Sequence, residues 1–161
     1  MYGILNGRKT FTGDILLNDI SIKSNISQYR KNIDSISDDE IISDLSVEEY
    51  LNFYAMLRGI FGSELSVRKK EIFLKYKYIV SSDIKMNQLF PDQRIYVRIL
   101  ASLLKNPKFL ILQNIFLHLE GQILQELVSV INDYIYHNGI CLILSQMPDS
   151  HFEHKDCFYL K

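Results

Sequence analysis

Cysteine is scarce in this 161-residue chain, which carries two. Cys141 and Cys157 stand in apolar surroundings without the spacing of a metal site or a disulfide framework, and are expected to be reduced, structural thiols of a cytosolic protein. Charge of one sign is missing as well: 18 basic residues face 19 acidic ones, for a formal net charge of -1. No long-range field draws in nucleic acid or an anionic membrane surface, so neither is expected as a partner. Tyr29, Tyr50, Tyr54, Tyr76, Tyr78 and Tyr96 do not interleave with a basic stripe and are expected at core or half-buried helix positions. Apolar runs stay below the roughly 18 to 20 residues of a membrane helix, and Met1-Tyr2-Gly3-Ile4-Leu5-Asn6-Gly7-Arg8 lacks the pattern of a signal peptide. Membrane association is expected only through a partner. His151 and His154 could share a helical face, but with Glu153 and Cys157 they make no recognised ligand set, and no metal is expected there. No Ser/His/Asp or Cys/His grouping is recoverable, which leaves a hydrolase without evidence.

What is present is a well-patterned globular chain, 47% hydrophobic and 23% charged, long enough to bury a core. Thr12-Gly13-Asp14 signals a turn before the apolar run Ile15-Leu16-Leu17, which stops at Asn18-Asp19, so a turn-flanked strand is expected. A second strand is expected over Asn32 to Ser37. Ser46 followed by Glu49 is a helix-capping pattern, and Leu51, Phe53, Tyr54 and Leu57 continue at mostly helical spacing, predicting a helix from Val47 to Ile60. A further helix, Ser66 to Tyr78, would present Val67, Ile72, Phe73 and Tyr76. Pro91 and Asp92 suit the first turn of another, ending at Lys105 before Asn106-Pro107. Phe109-Leu110-Ile111-Leu112 and Ile140-Cys141-Leu142-Ile143-Leu144 are continuous apolar runs, the mark of parallel strands buried on both faces. Between them, Glu120 to His137 has helical period and closes at Asn138-Gly139. A short last strand is expected over Asp156 to Leu160. Strand, helix and strand in that order imply an α/β fold with a right-handed parallel crossover and an inserted helical subdomain.

Several of these stretches resemble, in order, the ATP-binding domain of ABC transporters, most closely subfamily G, the white and pleiotropic-drug-resistance exporters. Leu5-Asn6-Gly7-Arg8 and Thr12-Gly13-Asp14-Ile15-Leu16-Leu17-Asn18 are similar to the stretch that follows the family's phosphate-binding loop. Asp38-Asp39-Glu40 through Leu51 resembles the acidic segment and helix that come next. Leu89 to Arg94, then Asn106-Pro107-Lys108-Phe109-Leu110-Ile111-Leu112, are similar to the signature loop and to the strand carrying the catalytic carboxylates. The resemblance implies a partial P-loop NTPase-like parallel sheet. Residues 1–45 would form the N-terminal part of a truncated core, 46–88 a helical subdomain, and 89–161 the signature helix with the C-terminal part of the core.

The departures from the family fall on its chemistry. The chain starts just after the place of the phosphate-binding loop, whose backbone N–H groups, lysine and hydroxyl hold phosphates and magnesium. Gly7-Arg8-Lys9-Thr10 contains a Lys-Thr pair, but the glycine spacing is not met and no buried strand precedes it. The resemblance puts the magnesium aspartate and the water-orienting glutamate on Gln113 and Asn114, neutral amides that cannot act as a base. The interface glutamine falls on Ser37 when counted back from Ser46, or on Asp38 when counted forward from Ile33, the former preferred. Phe90, Pro91 and Asp92 replace the serine and glycines that present donors to a γ-phosphate, beside the retained Gln93. The aspartate of the following loop becomes Glu120. The γ-phosphate-sensing histidine falls on Met147 counted from Gly139, or on Gln146 counted from Pro148. The chain is therefore expected to use no ATP or Mg²⁺ and to have no catalytic residues. It would act as a pseudo-ATPase or interaction module, located in the cytoplasm, whose partner is another transporter subunit or a second copy. The alternative is a part of an ATP-driven lipid or drug exporter whose phosphate loop and membrane domain lie elsewhere. Asp38, Asp39 and Glu40 are expected to be solvated. An uncovered flank is also expected on the parallel sheet.

Overall fold

The structure, a computed structural model, describes residues 2–5, 7–38, 43–76, 81–117, 119–137, 139–145 and 152. After a single helical turn, α1 (Tyr2–Leu5), comes a hairpin of β1 (Leu16–Leu17) and β2 (Ile20–Ser21). Asn18 and Asp19 make its turn at φ 50 and 63°, the left-handed backbone a tight hairpin demands and these two residue types tolerate. Sequence patterning took this pair as the end of a strand; it is the middle of a hairpin. Next, α2 (Ile26–Asn32) is capped by Asn25, whose side chain accepts the Gln28 N–H at 3.2 Å. Its Tyr29 is fully buried and donates to the Leu5 carbonyl at 3.0 Å, which ties α1 to the rest.

β3 (Ile33–Ser37) follows, then α3 (Val47–Met56), α4 (Gly62–Lys75), a 3-10 turn at Met86–Gln88, α5 (Pro91–Leu104), β4 (Phe109–Gln113), α6 (Gly121–Tyr136) and β5 (Ile140–Leu144). The capping pattern at α3 is realised in both directions: the Glu49 N–H donates to Ser46 Oγ at 3.2 Å, and the Ser46 N–H to Glu49 Oε2 at 2.8 Å. The helix ends earlier than its periodicity suggests, and Phe53 and Leu57 face solvent while Val47, Leu51 and Ala55 are buried. Helix α4 starts at Gly62 rather than Ser66, because burial of Leu65 pulls in the preceding turn. Val67 and Phe73, expected on its apolar face, are exposed. The strand expected over Asp156 to Leu160 lies outside the described residues, as do Tyr78 and Cys157.

β3, β4 and β5 form a parallel sheet in that order, with Ile33 level with Phe109 and Ile140, and Ser37 level with Gln113 and Leu144. Central β4 buries Leu110, Ile111 and Leu112 completely, as its unbroken apolar run requires. β5 has the same kind of sequence but pairs only with β4 among the described residues, so its side chains are half-buried and Ile140 is 55% exposed. Its Cys141 is a free thiol whose pKa burial pushes up to about 12, as suits an inert structural residue. Helix α5 joins two apolar clusters. Tyr96, Ile99 and Leu100 pack with the sheet and α6, while Val97, Ala101 and Leu104 pack with Val47, Leu51, Ala55 and Leu65 of the helical layer. A third cluster of Leu17, Ile22, Tyr29 and Ile33 lies under the hairpin. No helix among the described residues is long and apolar enough to cross a membrane.

The turn between α6 and β5 is set by Tyr134, whose hydroxyl donates to the Pro107 carbonyl at 3.0 Å and whose ring fills the space a side chain at Gly139 would need. A Cβ there would sit 2.3 Å from the ring. Gly139→Ala is expected to destabilise the fold by about 1–3 kcal/mol through this overpacking, read as a lowered midpoint in urea unfolding with an unchanged slope.

Candidate functional site

Because the three parallel strands finish level, Ser37, Gln113 and Leu144 share the carboxyl edge of the sheet, the edge where open α/β folds bind ligands. Each exit is tied to its neighbour. The Asp38 N–H donates to the Gln113 carbonyl at 3.2 Å, and the Asn114 N–H to the Leu144 carbonyl at 2.8 Å. Asn114 turns the chain at φ 55°, a conformation asparagine tolerates. From α5, Arg98 donates to the Ser37 carbonyl at 2.7 Å. The structure thus brings Ser37, Gln113 and Asn114 together at one edge, next to the exposed Asp38, with Arg98 donating to a backbone oxygen. Gln113 Oε1 is buried and accepts no hydrogen bond among the described residues.

This donor set does not fit magnesium, which is held through carboxylates and phosphate oxygens. Among the described residues, no three His, Cys, Asp or Glu side chains converge as a metal set. The carboxylate on β3, Asp34, lies back along the strand and is engaged elsewhere.

The start of α5 is closed from within. A helix leaves its first four N–H groups open and so attracts anions. Here Pro91 has none, the Gln93 N–H donates to Asp92 Oδ1 at 2.8 Å, and the Phe90 N–H donates to Gln93 Oε1 at 3.1 Å. The Asp92 carboxylate thus sits at this turn as an acceptor. Phe90, the N-cap residue, is 71% exposed. Gly7, Arg8 and Lys9 are likewise turned inward, their N–H groups donating to the Ile4 carbonyl at 2.9 Å and, for the latter two, to the Gly3 carbonyl at 2.8 Å. Glu120 is the exposed N-cap of α6 and makes no side-chain capping bond. Met147, Gln146, His151 and His154 lie outside the described residues.

Sequence reasoning missed a buried polar cluster beneath β3. Asp34, 4% exposed, accepts hydrogen bonds from Arg58 at 2.8 Å, from Tyr54 at 3.0 Å and from the Ser35 N–H at 2.9 Å. The Arg58 guanidinium lies 4.8 Å from the centre of the Tyr54 ring. Burial, with Asp34 beside it, raises the Tyr54 pKa. Nearby, Lys105 donates to the carbonyls of Arg30 and Ile33 at 2.7 and 2.6 Å, and burial next to Arg58 brings its pKa down to about 8. The signal was present as Tyr54 and Arg58 one helical turn apart, but nothing in the sequence linked them to Asp34.

No family model matches the sequence, and no curated protein does. Solved structures match its shape. CbiO1 from Clostridium perfringens, part of the ABC transporter complex CbiONQ, superposes with a TM-score of 0.73 at 21% identity, over 89% of this chain and 60% of its own. A putative ABC transporter ATP-binding protein from Pyrococcus furiosus gives 0.72 at 18%, over 92% and 71%. An ATP-binding subunit of an ABC transporter gives 0.66 at 20%, over 81% and 55%. The fold is that of ABC-transporter ATP-binding subunits. At these identities the likeness is one of fold, and the chain spans 55% and 60% of the length of two of these three.

Two expectations follow for the polar cluster. Asp34→Ala leaves the Arg58 charge without its partner and should cost about 3–5 kcal/mol, with Asp34→Asn costing less, both read by urea unfolding. Lys105 titrates at about 8 when folded against an ordinary 10.5, so between these values the unfolded chain binds more protons and stability rises with pH. Unfolding free energy should therefore climb from pH 8 towards 10, and Lys105→Met should flatten that rise. Above this window the raised pKa values of Tyr54, Tyr76 and Tyr134 work in the opposite direction.

Proposed function

We propose that this chain is a degenerate ABC-transporter nucleotide-binding domain, of the subfamily G type, that does not hydrolyse ATP and serves as an interaction module. The observation that carries this reading is the first turn of α5. The Phe90 and Gln93 N–H groups are spent on Gln93 and Asp92 side chains and Pro91 has none, so a phosphate meets a carboxylate where the resembled family presents donors. The neutral pair Gln113 and Asn114 on the sheet edge supports it, since phosphoryl transfer depends on positioned metal and charge. Another transporter subunit is the proposed partner. CbiO1 is itself part of a transporter complex, and β5, which pairs only with β4 among the described residues, offers a strand edge for pairing with a second chain, including a second copy.

Calorimetry and thermal unfolding test the reading. A ligand at about 100 times its dissociation constant stabilises a fold by about 2.7 kcal/mol. MgATP is expected to give no shift in unfolding temperature and no heat of binding; micromolar affinity would overturn the proposal. Gln113→Asp with Asn114→Glu should create no ATPase activity. Phosphate release by this pair, lost on reversion, would show that only the carboxylates were missing.

A further inference from the structure

Helix α4 is held differently from its neighbours. Of its 14 residues, Leu65 is the one buried, whereas α3 buries three of ten. Beyond Leu65 and the partly buried Ile72, α4 is held by a row of polar ties to three different elements. Lys69 reaches Glu48 and Asn52 of α3, the latter at 2.9 Å. Arg68 donates to the Leu104 carbonyl at the end of α5 at 2.6 Å. Lys75 and Tyr76 meet Asp133 of α6 at 2.6 and 2.7 Å.

The last tie crosses an open cleft of about 400 Å³ whose apolar lining is Ile72, Leu103, Leu104 and Tyr134. Beside this tie, the partly buried Ile72 and Tyr76 rest against the apolar cluster to which α6 contributes Leu127, Val130 and Tyr134. Burial works to raise the Asp133 pKa, but the hydrogen bonds from Lys75 and Tyr76 outweigh it and bring the carboxyl below its ordinary value. His137, one turn on, adds its Nδ1 3.5 Å from the other carboxylate oxygen. Segments with little apolar burial and exposed polar contacts open at lower free energy than the cores they rest on. The Lys75 side chain is 47% exposed and Asp133 28%, so salt reaches the contact.

We propose that α4 is a strap over this cleft, latched by Asp133, that opens as a unit while α3, α5, α6 and the sheet stay folded. Opening uncovers Leu103 and Leu104 on the far side of α5. The inference does not depend on the reading of the nucleotide site.

Hydrogen exchange by mass spectrometry on the full chain decides it. In Asp133→Asn, peptides from 62–75 should exchange about tenfold faster, the loss of charge-assisted hydrogen bonds, while those from β4 and α5 stay within about twofold. Raising NaCl from about 0.05 to about 0.5 M should speed α4 in the unmodified chain and much less in the variant, whose latch is already uncharged. Lys75→Gln leaves α6 intact and should reproduce the effect if Asp133→Asn does not fold. Exchange that rises equally in every element, or α4 unchanged in both variants, would overturn the strap.

Discussion

Helix α5 has to be apolar on two sides, and the arrangement of everything else follows from that constraint. One side, through Tyr96, Ile99 and Leu100, closes the sheet; the other, through Val97, Ala101 and Leu104, is the floor for α3 and the buried Leu65 of α4. A helix buried on both sides cannot slide without opening two cores at once. It therefore fixes where its own N-terminus stands, and the turn of Phe90, Pro91, Asp92 and Gln93 is presented from a helix anchored in two cores.

The two layers that meet on α5 are also joined around it by ion pairs of unlike character. Asp34 with Tyr54 and Arg58 is buried and oversubscribed with donors, so removing one partner strands a charge in low dielectric. Asp133 with Lys75 and Tyr76 is half in water and spans a cleft. The same chemistry clamps α3 and merely latches α4, because solvent screening separates the two sites.

Likeness of fold does not by itself carry chemistry. A parallel sheet is specified by apolar side chains such as those of β4 and by the helices that pack on it, here α5 and α6. Phosphate chemistry is specified by a few groups at the strand ends and one helix start, and those positions can change without disturbing the core. Gln113 and Asn114 illustrate the independence: both fit the backbone of the strand exit, and both are neutral.

The sequence alone determined the strands and helices whose burial is complete or whose caps are local. The run Phe109 to Leu112 could only be a covered strand, Ser46 with Glu49 could only start a helix, and Pro91 marked the first turn of α5. Gln113, Asn114 and the residues of that turn were legible because a motif fixes their place along the chain. Tertiary structure decided the rest. The hairpin at Asn18 and Asp19 and the short α2 carry little apolar patterning, and acquire their form by covering Tyr29 and Ile33. The start of α4 followed Leu65 into a shared core rather than its own periodicity. Asp34 met Arg58, and Asp133 met Lys75, only because the chain folded back through α5, since an ion pair between distant residues leaves no periodic trace in either segment.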